Sequence, residues 1–120
     1  MTTRIVLIED DPDIAALVEE MLTEAGHEVE VVDRLPAGPT DLDARLVITD
    51  LLALRAFDAA IAREWIAGVR AAYPRAKVVV STAHTPAAAV GAPAIGADAV
   101  LAKPFDIAAF TETVESLLGA

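Results

Sequence analysis

Short apolar runs alternate with segments of helical period along this chain. Arg4 to Ile8 (RIVLI) is β-branched, bounded by acids downstream, and reads as a buried strand. Ile14, Leu17, Val18, Met21, Leu22 and Ala25 then recur at i, i+3, i+4, i+7, i+8 and i+11, one stripe of an amphipathic helix. Asp11 is its expected N-cap, Pro12 suits its first position, and Gly26 ends it. Glu28 to Val32 alternates as a second strand, Leu46 to Thr49 forms a third, Lys77 to Ser81 a fourth and Ala99 to Ala102 a fifth. Ile61, Trp65, Val69 and Ala72 trace a further helix, with Trp65 in its buried stripe and Pro74 stopping it. Ile107, Phe110, Val114, Leu117 and Leu118 mark a last helix, capped by Asp106.

Continuously apolar strands, each followed by a connecting segment, imply a parallel sheet covered on both faces, an α/β architecture. Two segments fit poorly. Leu35 to Arg45 (LPAGPTDLDAR) holds two prolines and a glycine where a second helix belongs, so that helix is expected to shrink to a turn or loop. Thr85 to Ala97 carries Gly91 and Pro93 inside what should be the fourth helix, which is therefore expected to be short and irregular.

Composition narrows the function classes. No linker, low-complexity tract or repeat divides the 120 residues, so 1–120 is expected to be a single domain. Of the 55% hydrophobic residues, many are among the 26 alanines, yet the fraction remains far above that of a disordered chain. The formal charge of −10 argues against a nucleic-acid or anionic-membrane binder, both of which need a basic face. Without Cys there is no disulfide framework, thiolate metal site or Cys nucleophile. Val78 to Ala97 lacks Asp, Glu, Lys and Arg, but two prolines, two glycines and several polar residues interrupt it, which is incompatible with a spanning helix. Ile5 to Ile8 is too short for a signal peptide, and a cytoplasmic location is expected. His27 and His84 have no second metal-binding neighbour in sequence and read as surface histidines.

In a parallel α/β sheet, ligands bind beyond the carboxyl ends of the strands, at the point where strand order reverses. The first strand ends in Glu9, Asp10 and Asp11, the third in Asp50, the fourth in Thr82, and the fifth in Lys103 followed by Pro104. Carboxylates, a hydroxyl and an ammonium from four sequence regions thus converge. Clustered carboxylates repel, and either protonation or a bound cation must offset that. Oxygen donors without His or Cys favour Mg²⁺, with Mn²⁺ as the alternative, and Mg²⁺ ordinarily completes its shell with water and a phosphate oxygen.

The runs IVLIEDDPDI, VITD, STA and GADAVLAKPF, in this order and near these spacings, resemble the receiver domain of two-component response regulators. The resemblance spans essentially the whole chain. It implies a flavodoxin-like, doubly wound sheet of five parallel strands in the order 2-1-3-4-5 with flanking helices. It also implies Mg²⁺-dependent phosphorylation of an aspartate by a histidine kinase or histidine phosphotransfer protein. Slow autodephosphorylation, rather than conventional enzymatic turnover, goes with it. Carried over by position, Asp50 resembles the phospho-acceptor, Glu9 and Asp10 the Mg²⁺-holding acids, and Leu52 the residue whose backbone carbonyl joins them. Thr82 resembles the hydroxyl that bonds a phosphoryl oxygen, and Lys103 the lysine that pairs first with Asp50 and then with the phosphoryl group.

Four features depart from that pattern. Val100 stands where the family places a switch aromatic, three residues before the lysine. The segment after Asp50 (LLALRAFDAA) lacks the usual proline and glycine, the connection between strands two and three is short, and Pro and Gly interrupt the fourth helix. These favour, as the alternative, a phosphorylation-independent interaction module on the same fold. A phosphatase or nuclease on a related sheet wants a second acid two residues past Asp50, where Leu52 stands, and the EDDP turn would repel the phosphate of a flavin nucleotide.

Overall fold

The computed structural model describes residues 4–32, 44–50, 59–82, 92–102 and 107–119. In chain order these form β1 (Arg4–Ile8), α1 (Pro12–Glu24), β2 (Glu28–Val32), β3 (Leu46–Thr49) and α2 (Ala59–Ala72). They are followed by β4 (Lys77–Thr82), α3 (Ala92–Ile95), β5 (Ala99–Ala102) and α4 (Ile107–Gly119). The strands make one sheet in the order β2-β1-β3-β4-β5, every neighbouring pair parallel. This is the flavodoxin-like doubly wound arrangement, and the order reverses between β1 and β3.

Strand periodicity sorts the core into two layers. Val6, Ile8, Val47, Val78 and Val80 face one side, where Ala62, Ile66 and Val69 of α2, Tyr73 beyond it and Ile95 of α3 cover them. Ile5, Leu7, Leu46, Ile48 and Val79 face the other, under Val18 and Leu22 of α1 and Phe110 and Val114 of α4. Central strands buried on both faces need unbroken β-branched runs, which is why β1, β3 and β4 read as such. Strand β2 lies at an edge and alternates EVEVV, its glutamates toward solvent.

Helix α1 starts as its sequence dictates. Asp11 Oδ1 accepts from the amides of Asp13 (2.9 Å) and Ile14 (3.3 Å), and Pro12 follows as the first helical residue. Beyond the helix Gly26 takes φ 95°, a conformation that costs a residue with a Cβ.

Three details depart from the sequence reading. On α2 the buried stripe is Ala62, Ile66, Val69 and Ala72, while Ile61 is 44% exposed and Trp65 only half-buried. The small side chain of Ala62 lets the helix close against the sheet, and the first half of the stripe shifts by one position, from Ile61 and Trp65 to Ala62 and Ile66, while Val69 and Ala72 are buried as expected. Leu17 of α1 and its C-cap Ala25 are likewise exposed. Strand β4 runs one residue further, to Thr82. Within the described part, the fourth expected helix is the single turn α3, with Pro93 in its first turn, where a missing N–H is tolerated. The expected second helix and Asp106 lie outside the described residues. No helix among the described residues is long and apolar enough to cross a membrane.

Candidate functional site

At the reversal point the backbone sets two acids side by side. Ile8 pairs with Thr49 across β1 and β3, and the next amide, that of Asp50, donates to the Ile8 carbonyl at 3.0 Å. On the other side of β1, the amide of Glu9 donates to the Val32 carbonyl at 3.1 Å. Glu9 and Asp50 are thereby fixed by ladder bonds that continue just past their strands, and Asp10 follows at the mouth of α1. Carboxylate oxygens of Glu9, Asp10 and Asp50 all lie within 4.8 Å of one another. Glu9 is 4% exposed, Asp50 half-buried and Asp10 exposed. One Glu9 oxygen, Oε1, accepts the Asp11 amide at 3.2 Å, which orients the carboxylate beside the helix N-terminus.

Two ionised carboxylates about 5 Å apart repel by roughly 3 kcal/mol at an effective dielectric of 20. The positive end of α1 returns only about 0.3–1 kcal/mol. A divalent cation held among the three oxygens would offset the remainder. An all-oxygen donor set of partly exposed carboxylates suits a hard divalent ion such as Mg²⁺, and contains nothing that would select Zn²⁺.

Behind Asp50 a short hydrogen-bond chain runs into the core. The Trp65 indole Nε1–H donates to Thr49 Oγ1 at 2.8 Å, and the Thr49 hydroxyl donates to the backbone carbonyl of Asp50 at 2.7 Å. Helical periodicity places Trp65 in a buried stripe, but no spacing rule links it to Thr49 sixteen residues earlier. The one available signal is chemical: an indole N–H near a core seeks an acceptor.

Of the other expected site residues, Thr82 ends β4, its Cα paired with that of Ala102, which immediately precedes Lys103 in sequence. Leu52, Lys103, His84 and the side chain of Thr82 lie outside the described residues. Val100 pairs with Val80 and is half-buried against the layer that contains Ile8. His27 is not a surface residue: its side chain is 12% exposed, with Nε2 at 3.6 Å from Glu115 Oε1 on α4.

No family model and no curated protein matches the chain. Solved structures do. The response regulator TrrA of Thermotoga maritima, in complex with Mg²⁺ and beryllium fluoride, superposes with TM-score 0.73 at 25% identity, covering 98% of this chain and all of that one. A response-regulator receiver protein from Burkholderia phymatum gives 0.75 at 25% identity, over 98% of this chain and 96% of that one. The receiver domain of a Pseudomonas aeruginosa sensor histidine kinase, with magnesium coordinated in its active-site cleft, gives 0.69 at 20% identity over the full length of both. The fold is that of the response-regulator receiver domain, and the sheet order that the sequence resemblance implied is the order observed.

Proposed function

We propose that residues 1–120 form a single signalling receiver that accepts a phosphoryl group on Asp50 in a Mg²⁺-dependent reaction, with a phosphohistidine of a kinase or phosphotransfer protein as donor. The observation that carries the reading is the meeting of Glu9, Asp10 and Asp50 within 4.8 Å at the switch point of a receiver fold. Of the three, Asp50 is the acid that immediately follows the central strand β3, half-buried, and is the nucleophile in this reading. Glu9, Asp10 and Asp50 itself are the cation's carboxylates, with the Leu52 carbonyl as a further ligand by resemblance. One oxygen from each of these carboxylates, all within 4.8 Å of one another, is a hard donor set that would hold Mg²⁺, with water completing its shell. Mn²⁺ would satisfy the same donors.

A carboxylate oxygen of Asp50 attacks phosphorus in line with the P–N bond. The new P–O bond forms an acyl phosphate, the P–N electron pair passes to the imidazole, and that ring leaves with a proton from solvent. When bound, Mg²⁺ supplies positive charge against the phosphoryl oxygens. By resemblance, Lys103 adds a second positive charge and Thr82 a hydroxyl donor, and the product signals by altered partner binding within the cytoplasm. Incubation with Mg²⁺ and acetyl phosphate, followed by intact-mass spectrometry, should show one added phosphoryl group, lost in Asp50→Asn and in EDTA. An unmodified protein, or an adduct undiminished in Asp50→Asn, overturns the proposal.

Val100 supports a second reading. A half-buried valine on the layer of Ile8 and Val80 has no ring to rotate, so the surface could serve a partner without phosphorylation. Partner binding unchanged in Asp50→Ala would favour that module.

A further inference from the structure

We propose that Trp65 is a positioning residue for Asp50, acting through the hydroxyl of Thr49; the inference rests on the reading of Asp50 as the phosphoryl acceptor. Thr49 is 0% exposed, on the sheet face otherwise built from Val47, Val78 and Val80. Valine would pack there equally well, and burying a hydroxyl among valines is unfavourable unless its bonds are made. Both are made. A hydroxyl has one proton and two lone pairs. With the indole N–H directed at its oxygen from 2.8 Å, Thr49 commits its single proton to the Asp50 carbonyl at 2.7 Å. The two bonds lie in series at a part-buried position, where each polarises the other.

The geometric consequence falls on the nucleophile. The amide before the Asp50 Cα is held by the Ile8 carbonyl at 3.0 Å, and the carbonyl after it by Thr49. With both flanking peptide planes tethered, one to β1 and one through Thr49 to α2, the Cα–Cβ direction from which the carboxylate projects is fixed. Attack in line on phosphorus tolerates little error, since a misplacement of about 1 Å can cost roughly a hundredfold in rate.

The test uses Trp65→Phe, which keeps a ring and removes the donor, Thr49→Val, which removes the hydroxyl at nearly equal shape, and Thr49→Ser, which restores it. At saturating Mg²⁺ and acetyl phosphate, Trp65→Phe should phosphorylate roughly three- to tenfold more slowly, with little change in the donor concentration for half-maximal rate. Thr49→Val should be at least as slow, the double variant no slower than Thr49→Val, and Thr49→Ser close to wild type. A wild-type rate in Trp65→Phe accompanied by a lower melting temperature assigns the indole to packing and overturns the inference, as do effects that multiply in the double variant. A second readout needs no phosphorylation and no Trp65 variant. Trp65 is the only tryptophan, so its indole N–H gives a single proton resonance. That resonance should move on titration with Mg²⁺ in the wild type and Thr49→Ser, and stay fixed in Thr49→Val. Should the protein take no phosphate while the resonance follows Mg²⁺, the acceptor reading fails and the link to Trp65 stands. Should phosphate be taken with the resonance fixed and Trp65→Phe unimpaired, the link fails alone.

Discussion

Replacing Asp10 by Asn should stabilise the metal-free protein. Asp10 lies within 4.8 Å of both Glu9 and Asp50, so the substitution relieves two carboxylate repulsions at almost unchanged shape. At this separation each is worth about 3 kcal/mol for an effective dielectric of 20 and about 1 kcal/mol in bulk water. Asp10 is exposed, which places both pairs nearer the lower value, and a total of about 2 kcal/mol is expected. For a domain of this size that corresponds to roughly 6–10 °C in melting temperature. Magnesium should act in the opposite order on the two proteins. Binding only to the folded state adds about 2.7 kcal/mol at a hundredfold excess over Kd. The wild type should therefore rise with added ion, while Asp10→Asn, having lost a ligand, responds at much higher concentrations or not at all. The assay is a set of circular-dichroism melts in EDTA and in increasing MgCl₂, with NaCl matching the ionic strength. Equal melting of the two proteins in EDTA, or a wild type indifferent to magnesium at matched ionic strength, would refute the repulsion argument.

Other predictions concern the frame that carries the site. Burial, and secondarily the negative charge of Glu30, raise the Tyr73 phenol above its ordinary value. Its neutral form is therefore favoured by the fold, the associated stability is full below about pH 10 and is lost as pH climbs through the raised value, and Tyr73→Phe should flatten melts between about pH 9 and 11. Asp98 Oδ2 accepts the buried Val78 amide at 2.8 Å and receives Arg70 at 3.3 Å. Asp98→Ala should cost about 1–3 kcal/mol in urea unfolding, Asp98→Asn less, and Arg70→Ala under about 1 kcal/mol because its ion pair is half-exposed. Asp11→Ala removes the α1 cap and should cost about 1 kcal/mol, measurable in the same titration.

The parts of this molecule legible in sequence are those where one residue type answers one local demand. Asp11-Pro12 could only open a helix, the β-branched run of β1 could only be a strand buried on both faces, and acids following two such strands had to meet if the strands were parallel neighbours. The receiver resemblance supplied the strand order that the pattern alone left open. What escaped the reading depends on distance in space. In α2, Ile61 with Trp65 and Ala62 with Ile66 are equally apolar alternatives on paper, both running on to Val69 and Ala72, and only packing against the sheet chooses between them. His27 is largely buried, and α4, far away in sequence, brings Glu115 beside it. The bond from Trp65 to Thr49 joins a helix to a strand that share no periodic signature. Asp98 was an unremarked acid until the fold brought the Val78 amide to it.

The central claim is that the three convergent carboxylates serve a cation while one of them receives phosphorus. A crystal structure grown with Mg²⁺ and beryllium fluoride, the pair present in the Thermotoga maritima TrrA structure, tests it most directly. Beryllium should be joined to a carboxylate oxygen of Asp50, with the metal ion touching the Asp10 and Asp50 side chains at about 2.1 Å. A bare Asp50 carboxylate under saturating beryllium fluoride and magnesium, or a metal bound elsewhere on the molecule, would contradict it.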